Sequence, residues 1–177
     1  MLKLDEAYAH RGLKFLDSKI LSNVEYCDIR EGIYTNFDRG KPRITEVKPD
    51  RLTDFRCLLF EDNSFYQIIF DPPHLIHAGD NSWLKTKYGR INQENWKTDI
   101  RAGFSEAWRV LKLNGTLIFK WNDSHISIAK LKPFFPSQPI IGQKSPKSKN
   151  GKYTHWLVFL NTDDNLTLSQ FLRVKNV

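Results

Sequence analysis

Apolar residues along this chain follow two spacings. Between Asn95 and Leu113, Ile100, Phe104, Ala107, Trp108 and Leu111 recur at steps of three and four. That spacing lays them along one stripe of a helix and assigns them to the core. Asn114-Gly115 then supplies a left-handed stop. Elsewhere the apolar residues come in short β-branched and aromatic runs, the composition of buried strands: Val24 to Asp28, Phe65 to Phe70, Thr116 to Trp121 and Tyr153 to Leu160, with Pro139 to Gly142 as a shorter one. Ser124 to Lys132, ending before Pro133, offers a second helix after a strand.

The remaining segments are less regular. Leu2, Leu4, Leu13, Phe15, Leu16, Ile20 and Leu21 fit either one helix or a strand–helix pair. Residues 30–53 hold Gly32, Gly40, Pro42 and Pro49 and read as a long loop with room for one short ribbon. Residues 75–93 read as a polar, irregular loop. The tail 161–177 is polar around Leu166, Leu168, Phe171 and Leu172, and either docks as a short helix or hangs loose. Strands separated by helical patterns predict an α/β fold, a mostly parallel sheet with helices on both faces. One domain over residues 1–160 followed by the tail accounts for the length of 177 residues.

Composition narrows the function classes. The net charge of +7 with 13% aromatics points to an anionic partner such as nucleic acid, or to a basic surface with no such partner. No run approaches the roughly 20 apolar residues of a membrane span, so no membrane partner is expected. The N-terminus lacks the apolar core of a signal peptide, and a cytoplasmic location is expected. Cys27 and Cys57 form neither a disulfide framework nor a metal set. His74 and His77 have helical spacing behind two prolines that oppose a helix, so no metal site is predicted.

Candidate chemistry gathers at Asp71-Pro72-Pro73-His74. Two prolines cannot extend a central strand, so Asp71 must stand at the carboxyl end of the strand Phe65–Phe70. Ligands of open α/β sheets bind at that edge. The turn holds a carboxylate, backbone carbonyls and a flat ring in fixed relation. Trp83, Lys87 and Tyr88 in the next loop combine rings with phosphate-ready charge, or pin the loop to the body. The lysine-rich stretch Gln143 to Lys152 is either a solvated hairpin tip or a phosphate contact.

Phe70-Asp71-Pro72-Pro73-His74-Leu75, the Trp83/Lys87-Tyr88-Gly89 loop, Phe119-Lys120-Trp121-Asn122 and Thr154-His155-Trp156, preceded by Asp28 and Asp54-Phe55, together resemble class I S-adenosylmethionine-dependent methyltransferases. More narrowly, they resemble a group of small phage- and bacteria-borne proteins of that class. The resemblance covers roughly residues 24–160. It implies a Rossmann-like methyltransferase fold with an antiparallel last strand, and S-adenosylmethionine as cofactor. It implies cofactor binding by Asp5, Asp28, Asp54 and Phe55. Asp71, Pro72, Pro73 and His74 then hold the exocyclic amine of a nucleobase for methylation, with Trp83, Lys87, Tyr88, Lys120 and His155 around the substrate. The chain departs from the family in its first turn. Leu4-Asp5 to Gly12 keeps an acid but lacks the cysteines and the well-placed glycine that let backbone approach the cofactor. That departure supports an alternative expectation, a catalytically degenerate protein that binds nucleic acid or a protein partner as an inhibitor or accessory factor.

Overall fold

A computed structural model describes residues 24–38, 40–79, 82–145 and 151–162. Its centre is a four-stranded sheet of β5 (Phe65–Phe70), β6 (Leu111–Asn122), β7 (Ile141–Lys144) and β8 (Thr154–Leu160), in the order β5-β6-β8-β7. The β5–β6 pair is parallel and is joined by helix α2 (Trp96–Val110). β8 runs antiparallel to both of its neighbours. Four strands outside the main sheet and a helix precede α2. Strands β2 (Gly32–Asp38) and β3 (Lys41–Val47) form an antiparallel hairpin. β1 (Cys27–Asp28) pairs in parallel with β4 (Arg51–Leu52). A six-residue helix α1 (Trp83–Tyr88) follows the Pro-Pro turn.

This architecture corrects the expected Rossmann-like methyltransferase fold. Only one of the three pairings in the main sheet is parallel, and the other described strands lie in separate two-stranded pieces. Two local causes are visible. A parallel return requires a crossover of a dozen or more residues, usually a helix. After β6 the expected helix over Ser124–Lys132 shrinks to two single 3-10 turns, Ile128–Lys130 and Lys132–Phe134. Pro133 sits in the second turn and Pro136 follows it, so no crossover helix forms. The acid-ended strand at residues 24–28 is only two residues long, and its ladder ends at the pairing of Asp28 with Leu52.

Helix α2 buries Ile100, Phe104 and Ala107 of the predicted stripe, leaves Trp108 half-buried, and ends before Leu111, which is buried at the start of β6. Ile100, Phe104, Ala107 and Val110 are at most 2% exposed. It stops three residues short of the expected end because other groups cap it. The backbone N–H of Asn63 donates to the Arg109 carbonyl at 3.0 Å, and that of Ser64 to the Val110 carbonyl at 2.8 Å. These bonds satisfy carbonyls that a helix end otherwise orphans. Asn114-Gly115 therefore serves the sheet instead. Phe65 pairs with Leu111 and Gln67 with Thr116, so residues 112–115 bulge out of β6. Asn114 has φ 61° there, and a Cβ on Gly115 would lie 2.6 Å from the Lys112 carbonyl oxygen and 2.9 Å from that of Tyr66. Asn161 closes the bulge, its side-chain amide donating to the carbonyls of Leu111 and Lys112.

Beyond the bulge β6 alternates. Leu117, Phe119 and Trp121 are at most 1% exposed and face α2, while Ile118, Lys120 and Asn122 are half-buried on the other face. Phe104 bridges helix and sheet, with its ring centroid 4.8 Å from Phe119 and 5.3 Å from Phe70. Phe135 and Phe159 extend this cluster. Gly103 makes the packing possible, since a Cβ there would lie 2.5 Å from the Phe70 ring and 2.7 Å from the Phe55 ring. Both rings are held by neighbours, so relief requires moving the core. Gly103→Val should cost about 2 kcal/mol or more by overpacking and lower the thermal midpoint by roughly 4–8 °C, read by circular dichroism melting.

Candidate functional site at the carboxyl ends of β5 and β6

β5 ends at Phe70, and the chain turns through Asp71-Pro72-Pro73-His74. Strand alternation sends Lys120 of β6 to the face away from α2. Its Nζ donates to Asp71 Oδ2 at 2.5 Å, with the two side chains 13% and 12% exposed. A carboxylate this sheltered requires a partner, and the ammonium supplies one. The same Nζ stands 5.8 Å from the ring centroid of Trp156, which pairs with Lys120 across β6 and β8. Asp71 and Lys120, expected in catalytic and substrate-binding roles, therefore form one charge-balanced unit.

His74 turns to the other side of the turn. Its ring lies 5.6 Å from Tyr88 and meets Trp121 edge-on at 6.3 Å. Tyr88 is brought there by α1, a helix in a region expected to be irregular. Gly89 ends α1 with φ 73°, and a Cβ at that residue would come within 3.1 Å of the Pro73 ring. Arg30 Nη1 donates to the Thr86 carbonyl at 2.6 Å, and Asn36 bonds the Thr86 hydroxyl, so the turn after β1 and the hairpin both hold α1. Trp83 carries two cations, Arg43 at 5.8 Å and Lys87 at 5.1 Å, and Lys87 also lies 5.5 Å from Tyr88.

The remaining predicted residues find different partners. His155 Nε2 is 3.1 Å from Asp123 Oδ2, and it pairs across the strands with Trp121. Burial pushes the Asp123 carboxyl up, but the Tyr153 N–H and His155 outweigh it and hold the group below the usual range. Asp28 accepts from the Arg30 backbone N–H at 3.0 Å, from Nε at 3.1 Å and from Nη2 at 3.2 Å. Asp54 is bound in the same way by the Arg56 backbone and guanidinium, whose hydrogen bonds lower its pKa. Arg56 also reaches Asp99 at 3.0 Å. Phe55 packs on the Phe70 ring at 5.6 Å, just before Asp71. Asp5 lies outside the described residues. Burial pushes the Cys27 thiol up to about 11, which makes it a poor nucleophile.

Beside this edge is an open cleft of about 690 Å³, with Ile76, His77, Arg90 and Asn92 among its lining. Its loop is anchored by His125, whose Nδ1 accepts from the backbone N–H of Ile76 at 2.9 Å and of His77 at 3.3 Å. Among the described residues no group of three or more potential metal ligands occurs, and no helix is long and apolar enough to cross a membrane.

Sequence reasoning missed Arg30, Arg56, Asp123, Arg43 and His125. The first two carried a readable signal. Asp28-Ile29-Arg30 and Asp54-Phe55-Arg56 share an Asp-x-Arg spacing, which lets the arginine's own N–H and guanidinium reach one carboxylate. Compared with known proteins, the chain matches no protein-family model and no curated protein.

Two outcomes test this geometry. Lys120→Met strands a sheltered carboxylate and should cost about 1–3 kcal/mol in urea unfolding. Adding Asp71→Asn should recover part of that loss, giving a positive coupling in a double-mutant cycle. The second outcome concerns pH. Burial, then His77 and Lys152, lower the His125 pKa, so the fold favours the neutral ring. Its contribution is therefore complete above the ordinary value of about 6.5 and is lost as pH falls below that value through the folded pKa. Amide exchange at Ile76 and His77, corrected for its intrinsic pH dependence, should lose protection over that window, and His125→Ala should abolish the change.

Proposed function

We propose that the chain transfers a methyl group to an amine, the exocyclic amine of an unpaired nucleobase in DNA or RNA. The observation that carries this reading is the standing of Asp71 at the carboxyl end of β5, paired with Lys120 of β6, with the His74 ring and its neighbour Tyr88 three residues further along the same turn. In this reading Asp71 and the Pro72 carbonyl accept the two N–H bonds of the amine and keep its lone pair pointed outward for attack. His74 stacks on the base, supported by Tyr88. Lys120 fixes the carboxylate through Oδ2, so positioning costs little at the moment of reaction. A nitrogen attached to an aromatic base becomes strongly acidic once methylated, so even a lysine-paired carboxylate suffices to take its proton.

S-adenosylmethionine supplies the methyl group on a sulfonium centre, an already activated leaving group. Asp28 and Asp54 are the residues to hold it. A carboxylate offers about four acceptor positions, and Asp28 spends three on Arg30. It fits a ribose diol once the Arg30 guanidinium lets go. The backbone bond can remain. Asp54 is bound by Arg56 through both oxygens, so it too must exchange a partner.

That arginine engagement favours a second reading, a nucleic-acid-binding protein without methyl transfer. Calorimetry with S-adenosylmethionine and transfer of labelled methyl to single-stranded oligonucleotides separate the two. The enzymatic reading expects cofactor binding, and incorporation that Asp71→Ala lowers by about 10²-fold or more. Absence of binding at millimolar cofactor overturns it in favour of the second reading.

A further inference from the structure

The β2–β3 hairpin and α1 were not part of the motif at Asp71, yet they end against it. From Arg43 in β3 the side chains form a continuous ladder. Arg43 lies 5.8 Å from Trp83, Trp83 lies 5.1 Å from Lys87, Lys87 lies 5.5 Å from Tyr88, and Tyr88 lies 5.6 Å from His74. No acid is among the residues lining the cleft at residues 76–79 and 90–93. Several acids nearby are tied to cations of their own: Asp28 to Arg30, Asp54 and Asp99 to Arg56, Asp71 to Lys120.

We infer that this ladder is a track for one strand of nucleic acid, leading its unpaired bases to the Pro-Pro turn. The inference deepens the nucleobase reading above by naming the surface that presents the strand. Three physical points carry it. The Trp83 ring holds two long cationic side chains in place, so less rotamer entropy is lost when they meet phosphates. Tyr88 and His74 add ring surface at the turn that carries Asp71, where a base must arrive. Alternating rings and cations suit a backbone with stacked, unpaired bases, because duplex bases keep their faces to themselves. An acidic protein surface would need the cations but not the rings.

The hairpin explains why Arg43 belongs to the track. Strand alternation places Asn36 and Arg43, which pair with each other in the hairpin, on its α1-facing side, while Ile33, Phe37 and Ile44 face outward and are 69–72% exposed. A substitution on the outward side therefore serves as an internal control.

The test is fluorescence anisotropy of a labelled single-stranded oligonucleotide, without cofactor, across a salt series. Binding should weaken linearly with log salt. Arg43→Gln and Lys87→Gln should each weaken binding several-fold and lower the salt slope by about 0.7. Trp83→Ala should weaken binding by more than either, and Trp83→Phe should restore most of it. Ile44→Thr should bind like the parent, and each variant should keep the parent's melting profile. Tighter binding to duplex of equal length, binding unaffected by Arg43→Gln and Lys87→Gln, or no binding at low salt overturns the track. Should Trp83→Ala fail to fold, the two glutamine variants decide alone. Strand binding through these residues without methyl incorporation keeps the track and overturns the enzymatic reading. Methyl incorporation indifferent to these residues does the reverse.

Discussion

Phe104 touches both strands that create the site. Parallel strands cannot be joined by a tight turn, so β5 and β6 depend on a crossover element that packs back onto them. Helix α2 is that element, and Phe104 is its main purchase, reaching Phe70 and Phe119 at once. Such ring pairs contribute roughly 0.5–1.5 kcal/mol each beyond simple burial. Their wider effect is positional. With Phe70 and Phe119 fixed side by side, the next residue of each strand, Asp71 and Lys120, comes into register on the opposite face. The charged pair at the site is a consequence of aromatic packing one residue earlier.

The same sheltered edge sets the electrostatic pattern. Asp71, Asp28, Asp54 and Asp123 each stand near a strand end or tight turn, and each has a cationic or imidazole partner within about hydrogen-bonding reach. Two of the pairings are local in sequence, and two reach a neighbouring strand. Asp28 and Asp54 use an arginine two residues on, and Asp71 uses the neighbouring strand. Local neutralisation keeps these carboxylates from adding unpaired negative charge at the strand ends. Any ligand of Asp28 or Asp54 must displace an arginine, so affinity there is a difference between two sets of hydrogen bonds.

Much of the central unit was legible in the sequence. The Ile100–Phe104–Ala107 stripe, the strand ending at Phe70 and the turn that Pro72-Pro73 imposes all follow from local spacing. What was not legible depends on contacts between distant segments. Asn114-Gly115 carries a left-handed signal that fits a helix stop as well as a strand bulge, and only Asn161 and the Phe65–Leu111 pairing decide between them. The layering failed for a related reason. Pro133 predicts the end of a helix, yet the consequence of Pro133 and Pro136 together, a β6 with no crossover helix after it, belongs to the sheet as a whole. Helix α1 was hidden because its six residues bury no stripe of their own and are steadied by Arg30 and Asn36 from elsewhere.

The contact between Gly89 and Pro73 gives the site a mechanical character. A side chain that is pushed usually rotates out of the way, but a proline ring is fused to the backbone and has no such freedom. Helix α1 ends with its glycine against that ring. A side chain at position 89 would therefore have to be absorbed by main chain, either at the end of α1 or in the turn that carries Asp71. The spacing between the helix and the carboxylate is set by the absence of a single carbon atom.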